Sequence, residues 1–180
     1  MPLRPLCAAL LLTAACGSQP DHRAEEAPPE TVAALDLQRY SGLWYEIMRY
    51  PNRFEEGCAG VTAEYALRED GRIAVTNTCR QGAPDGPVEV ADGVAKRVGE
   101  AKLKVRFAPS FVPFAWGDYW VLALEGDYSA ALVGSPDGKY LWILARDPSP
   151  PEAVIRRMIA EAEARGYETA PLIRTEQPPE

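Results

Sequence analysis

From residue 43 to residue 146 the apolar positions come in short runs that alternate with polar ones, and Gly, Asp or Pro separates each run from the next. Period-two alternation of this length is the pattern of half-buried β-strands. The clearest pair lies in "VTAEYALREDGRIAVTN": Val61, Ala63, Tyr65 and Leu67 share one face, Asp70-Gly71 turns the chain, and Ile73, Val75 and Asn77 continue on the same side. Glycine accepts the positive φ of a tight hairpin, so these two runs are expected to pair antiparallel. Further strands are expected in "LWYEIMRYPNR", "VEVADGVAKRV", "AKLKVRF", "DYWVLAL", "SAALVG" and "YLWILAR", which makes eight. In "AKLKVRF", Leu103, Val105 and Phe107 alternate with Lys102, Lys104 and Arg106, which turns apolar groups inward and cations to solvent. Eight sequential strands with short connections predict an all-β, up-and-down antiparallel barrel, because closure removes the exposed edges. A two-sheet sandwich is the alternative. A barrel of eight is about wide enough either to fill with side chains or to hold one small ligand.

After Arg146 the period changes. Ser149-Pro150-Pro151-Glu152 offers an N-cap serine, a proline for the first helical position and a glutamate placed for a capping box. Val154, Ile155, Met158, Ile159 and Ala162 then form one apolar stripe, with Arg156, Arg157, Glu161, Glu163 and Arg165 opposite. A C-terminal helix is expected, ending at Gly166 and packing its stripe on the barrel wall. Beyond it, "PLIRT" can add one more edge strand.

Composition narrows the partners. A chain of 180 residues, 47% of them apolar, suits a single domain with a real core. Its net charge of −7 and dispersed Lys and Arg argue against nucleic acid and against electrostatic binding to anionic membranes. Residues 1–15 have the layout of a secretory signal: one cation at Arg4, an apolar run from Leu6 to Leu12, then small residues. The run ends in "LTAAC", which resembles the lipobox of bacterial lipoproteins, where cleavage precedes a cysteine that becomes lipid-modified. Ala14 and Ala15 give the protease room, although Thr13 stands where the lipobox usually has leucine. A general signal peptide cut elsewhere is the alternative. The resemblance implies a lipid anchor on Cys16, and Gly17 after it implies export to the outer membrane. Residues 16–33, rich in Pro and Glu and without an apolar period, read as a flexible tether that lets a domain at residues 34–177 stand off the membrane.

With Cys7 in the leader, Cys58 and Cys79 remain as a pair in an oxidising compartment and are expected to form a disulfide; two separate buried thiols are the other possibility. Metal is not expected, since two thiols do not complete a zinc site and the one histidine, His22, falls in the tether. No cofactor is implied. Catalysis is not expected either: no G-x-S-x-G occurs, Ser110 and Ser135 have no histidine partner, and the carboxylates read as turn or outward residues.

Three motifs in order then become informative. Gly42-Leu43-Trp44 resembles the G-x-W signature of the lipocalins at the start of their first strand. Asp127-Tyr128 resembles the family's motif near the turn between the sixth and seventh strands, and Arg146 its arginine at the end of the last strand. "YPNRFEEGC", "TAEY" and "YLWILAR" bring the chain nearer to bacterial lipocalins of the outer-membrane lipoprotein type, akin to apolipoprotein D. The resemblance covers residues 37–176. It implies that Trp44 plugs the closed end of the barrel under Arg146, a contact with a cation–π contribution of roughly 0.5–2 kcal/mol. Gly42 would let the chain pass where a side chain collides, and Asp127 would hold its turn.

The family's chamber opens among the loops after the first, third, fifth and seventh strands: "PNRFEEGCAG", "QGAPDG", "APSFVPFAWG" and "SPDG". Phe111, Phe114 and Trp116 in the third read as a lid, a ligand portal or a membrane-touching rim, the alternative being that they fold back over the barrel as core. With them, Val61, Tyr65, Ile73, Val75, Leu103, Val105, Phe107 and Tyr119 are the candidate ligand contacts. An apolar chamber suits an acyl chain: each buried methylene contributes roughly 0.8 kcal/mol, so about ten favour binding by about 8 kcal/mol before ordering costs. The resemblance implies fatty acid or lysophospholipid ligands, at the outer membrane and facing the periplasm. A structural or partner-binding lipoprotein with a filled barrel, a lipid-modifying enzyme, and a homodimer built through the apolar loop remain open.

Overall fold

The computed structural model describes residues 19–109, 112 and 115–178. One helical turn, α1 (Leu37–Tyr40), precedes eight strands: β1 (Gly42–Arg49), β2 (Cys58–Leu67), β3 (Ile73–Gln81), β4 (Val88–Arg97), β5 (Lys102–Arg106), β6 (Gly117–Leu124), β7 (Ala130–Gly134) and β8 (Leu141–Ala145). Helix α2 (Glu152–Glu163) and the short strand β9 (Ile173–Arg174) follow. Each of the eight strands pairs antiparallel with the next, and β1 pairs with both β8 and β2, so the ring closes. The eight expected strands are all present, and closure rules out the sandwich. Loops after β1, β3, β5 and β7 gather at one end; α1 and the loops after β2, β4 and β6 gather at the other.

Two apolar clusters carry the packing. Inside the barrel, towards the α1 end, Tyr40, Trp44, Tyr65, Ile73, Val75, Leu103, Val121, Val133 and Leu144 pack together. Outside it, Ile155, Met158 and Ala162 of α2 pack on Ile47, Leu122, Leu132 and Ile143, as the helical stripe predicts. Strand β7 lies between the clusters and is buried at all five positions, which explains its continuous apolar run "AALVG".

The helix start differs from the expectation. Pro151 is the N-cap, at φ −54° and ψ 138°, and no side chain caps the helix. Ser149 lies too early to reach the first turn, because its N–H donates to Asp147 Oδ1 at 2.7 Å and two prolines hold the chain extended beyond it. Gly166 ends the helical region as expected, at φ +78°.

Residues 19–34 also differ. Composition predicts a free tether, yet the chain lies along the barrel wall as a strap. His22 N–H donates to Gly138 O and Ala24 N–H to Gly166 O, both at 3.1 Å, and Glu168 N–H donates to His22 O at 2.8 Å. Arg23 forms a β-bridge with Tyr167, donates from Nε to Arg165 O at 2.9 Å, and has a side chain only 2% exposed. Lower down, Val32 N–H donates to Val121 O, and Arg97 Nη2 donates to Leu35 O. His22 therefore belongs to the packed structure, edge-on to Tyr50 at 4.9 Å. The strap is held by backbone groups together with the Arg23 and Arg97 guanidiniums and lacks an apolar period, so composition does not reveal it.

A second segment completes the wall. β1 and β2 pair only through Gly42, Leu43, Trp44 and Tyr45. Nearer the other end they part, and β9 with the residues after it fills the seam: Thr175 N–H donates to Ile47 O, Gly60 N–H donates to Glu176 O, and Gln177 Nε2 donates to both Glu46 O and Val61 O. The expected extra strand is thus present, in the seam.

Candidate ligand-binding site

The α1 end is shut from the sequence motifs upward. Trp44 is fully buried and donates from Nε1 to Tyr40 O at 2.8 Å. The Arg146 guanidinium lies 3.9 Å from the Trp44 ring centroid and donates to the carbonyls of Leu43, Arg39, Tyr40 and Ser41. One cation thereby satisfies the open carbonyls around α1 and covers the plug. Gly42 takes φ +96°, while a Cβ there would meet Arg146 Nη1 only at 3.4 Å. Its requirement is conformational rather than the expected collision. Asp127 accepts from Ser129 N–H at 3.0 Å, and hydrogen bonding with the Ser129 side chain first, and with its N–H second, holds the carboxyl below the usual range. Tyr128 adopts φ +66°, accepts from Asp36 N–H at 3.1 Å and carries the Arg39 guanidinium 3.9 Å from its ring centroid.

Above the plug, the hydroxyls of Tyr40 and Tyr119 are 2.7 Å apart and those of Tyr65 and Tyr119 are 2.9 Å apart. Burial raises all three phenols, Tyr65 to about 12. They stay neutral hydrogen-bonding groups, and Tyr65 and Tyr119 floor a cavity of about 90 Å³ that is open to solvent.

Seven of the expected contacts line this cavity: Val61, Tyr65, Val75, Leu103, Val105, Phe107 and Tyr119. Phe107 stands at the mouth, 42% exposed, and its ring crosses Gly93, where a Cβ would come within 2.7 Å of Cδ1. Ile73 does not line the cavity; it belongs to the packed core. Trp116 does not line it either: its ring is held by Lys96 Nζ at 4.4 Å and Arg106 Cζ at 4.7 Å, cations of β4 and β5. Phe111 and Phe114, like Cys16 and the leader, lie outside the described residues. Cys58 and Cys79 form a disulfide that joins β2 to β3 beside the mouth.

The sequence reading missed a buried polar cluster on the cavity wall. Glu46, 2% exposed, and Glu55 both line the cavity. Arg49 Nη1 lies 3.2 Å from Glu46 Oε1, and Arg49 Nε lies 3.6 Å from Glu55 Oε2. Thr175 Oγ1, supplied by the seam segment, donates to Glu46 Oε1, and Trp142 Nε1 donates to Glu55 Oε2 at 3.2 Å. Burial first, and the nearby Glu55 charge second, raise the Glu46 carboxyl well above its ordinary range; Arg49 opposes this shift and is outweighed. The sequence pattern assigns carboxylates to turns and outward faces, yet period two alone places Glu46 inward once Trp44 is inward. A bulge between Glu46 and Met48 then breaks the alternation, which hid Arg49. Asn77 also faces the cavity, and its Oδ1 is buried with no hydrogen-bond partner among the described residues. The chamber is thus an apolar tube with neutral phenols below, an acid-rich cluster on one wall and one uncommitted amide.

The comparisons with known proteins agree with this architecture. The family described as "Lipocalin-like domain" matches residues 35–177. The outer membrane lipoprotein Blc of Escherichia coli (strain K12) is 40% identical over an alignment of 185 positions, covering 99% of this chain and 97% of that one. Apolipoprotein D of Mus musculus is 36% identical, covering 80% of this chain and 78% of that one. The solved structure of the cockroach allergen Per a 4 superposes with a TM-score of 0.64 at 20% identity, covering 88% of this chain and 97% of that one. A closed eight-stranded barrel, a tryptophan plug under an arginine and a full-length match together show that the chain belongs to the lipocalin family, as a bacterial lipocalin of the Blc type.

Proposed function

We propose that this lipocalin binds small hydrophobic lipids, fatty acids or lysophospholipids, in the barrel chamber, and stores or transports them in the cell envelope. The observation that carries the reading is the mouthed cavity lined by Val61, Val75, Ala95, Leu103, Val105 and Leu144. An acyl chain laid there gains roughly 0.8 kcal/mol per buried methylene. The polar end is left at the mouth, near Phe107 and Trp142. The role is binding rather than catalysis: His22 sits in the strap, and Ser135 Oγ donates to Asp137 Oδ1 at 2.6 Å in the β7–β8 loop. A structural lipoprotein with a filled barrel is the competing reading, and the solvent-open, largely apolar cavity inside the barrel weighs against it.

The name of the Blc relatives, outer membrane lipoprotein, supports a place in the envelope. With the "LTAAC" motif it supports cleavage before Cys16, lipidation of Cys16 and residence at the outer membrane facing the periplasm. A fluorescent fatty acid or lysophospholipid titrated into the purified protein is expected to bind saturably and to be competed by unlabelled lipid. Native mass spectra of protein taken from its membrane fraction are expected to carry both the Cys16 lipid and a bound lipid. Absence of saturable uptake would overturn the binding function.

A further inference from the structure

The strap decides which end of the barrel an N-terminal anchor holds. Were residues 17–33 free, they would reach up to about 60 Å and leave the domain in any orientation. Instead the strap runs from Leu35, beside the closed end, up the wall to the open end. There Gln19 Nε2 donates to Pro51 O at 2.6 Å and to Lys139 O at 3.4 Å, carbonyls of the β1–β2 and β7–β8 loops. Cys16 is three residues further along, so its Cα lies within about 11 Å of that of Gln19. The strap is built to stay: a Cβ on Gly138 would come within 2.4 Å of Arg23 Cβ, and one on Gly166 within 2.8 Å of Glu25 Cγ.

The same end carries exposed apolar side chains on its loops. Phe54 is 67% exposed, Phe107 42% and Val112 37%. Their place on the rim around the cavity mouth fits an apolar surface rather than water.

We infer that the open rim is a membrane-docking surface: the anchor holds the mouth of the cavity against the phospholipid bilayer, with Phe54, Phe107 and Val112 at the headgroup boundary and the Trp44 plug facing away. A hydrophobic ligand would then pass between bilayer and chamber without crossing bulk water. The inference rests on the lipidation of Cys16 proposed above.

Amide hydrogen exchange tests it. Protein carrying the Cys16 lipid, in phosphatidylethanolamine and phosphatidylglycerol vesicles, is compared with C16S protein in solution. Exchange in loops 50–57, 82–87 and 135–140 is expected to slow severalfold on the vesicles, while loops 68–72, 98–101 and 125–129 stay unchanged. Inserting about ten Gly and Ser residues between Gly17 and Ser18 adds roughly 18 Å of mean reach and is expected to abolish most of that protection. Protection of the closed-end loops, or of neither end, overturns the inference. Equal rim protection in solution at the same concentration identifies a second copy as the occupant and also overturns it. If native Cys16 bears no lipid, its thiol coupled to a maleimide phospholipid supplies the anchor. Failure of lipidation is then read from the mass and failure of docking from the exchange.

Discussion

The two ends of this barrel are finished by opposite means. At the closed end one tryptophan is fully buried, one arginine binds four carbonyls and stacks on it, and three tyrosines bond to one another above. At the open end the wall is held by a disulfide, the seam segment and the strap, while the interior is left partly empty and lined with groups that bond incompletely. Rigidity is concentrated where nothing has to move. The cost of burying polar groups is accepted where a ligand can meet them, so stability and binding are divided by height along the barrel.

That division can be broken by substitution. Trp44→Ala removes the plug and is expected to cost about 3–5 kcal/mol, read as a lower urea midpoint. A loss under about 1 kcal/mol would mean the closed end is not the stability centre. Loss of the Cys58–Cys79 bond, which spans 21 residues, is expected to cost about 3 kcal/mol, measured by unfolding the Cys58→Ala, Cys79→Ala double variant. An unchanged midpoint would show that the seam and strap alone hold the mouth.

A smaller effect concerns Glu46. Its folded carboxyl binds the proton more tightly than the unfolded chain does, so the folded state holds more protons above the ordinary value of 4.5. Stability therefore falls as pH rises through the window from about 4.5 to the raised value. Glu46→Gln is expected to remove that part of the slope in paired urea titrations. A slope that steepens in the variant would show that Arg49, not burial, dominates. Smallest of all, Phe107→Ala at the half-open mouth is expected to cost under about 1 kcal/mol of stability while weakening lipid binding severalfold in the fluorescence titration. Equal losses of stability from Phe107→Ala and Trp44→Ala would erase the difference between the ends.

The strands were legible because alternation is a local property, and the plug because Gly42-Leu43-Trp44, Asp127-Tyr128 and Arg146 carry it together. Six cavity residues followed from the inward faces of β2, β3, β5 and β6, and Phe107 from the alternation continued just past β5. Trp116 misled because an aromatic residue in a loop announces burial without saying on which side, and Lys96 and Arg106 draw it outside. The strap was hidden because many of its bonds join backbone atoms far apart in the chain, as between Ala24 and Gly166. The Glu46 cluster was hidden because its partners come from three separated segments, around Arg49, Glu55 and Thr175.

The seam between β1 and β2 has a consequence in the order of synthesis. Residues 42–65 leave the ribosome early and can zip only their first four pairs. The rest of that wall waits for residues 173–177, more than 100 positions later. Such distant pairing is slow to form. A chain interrupted between β8 and β9 can pair all eight barrel strands yet leaves a slot open beside Glu46.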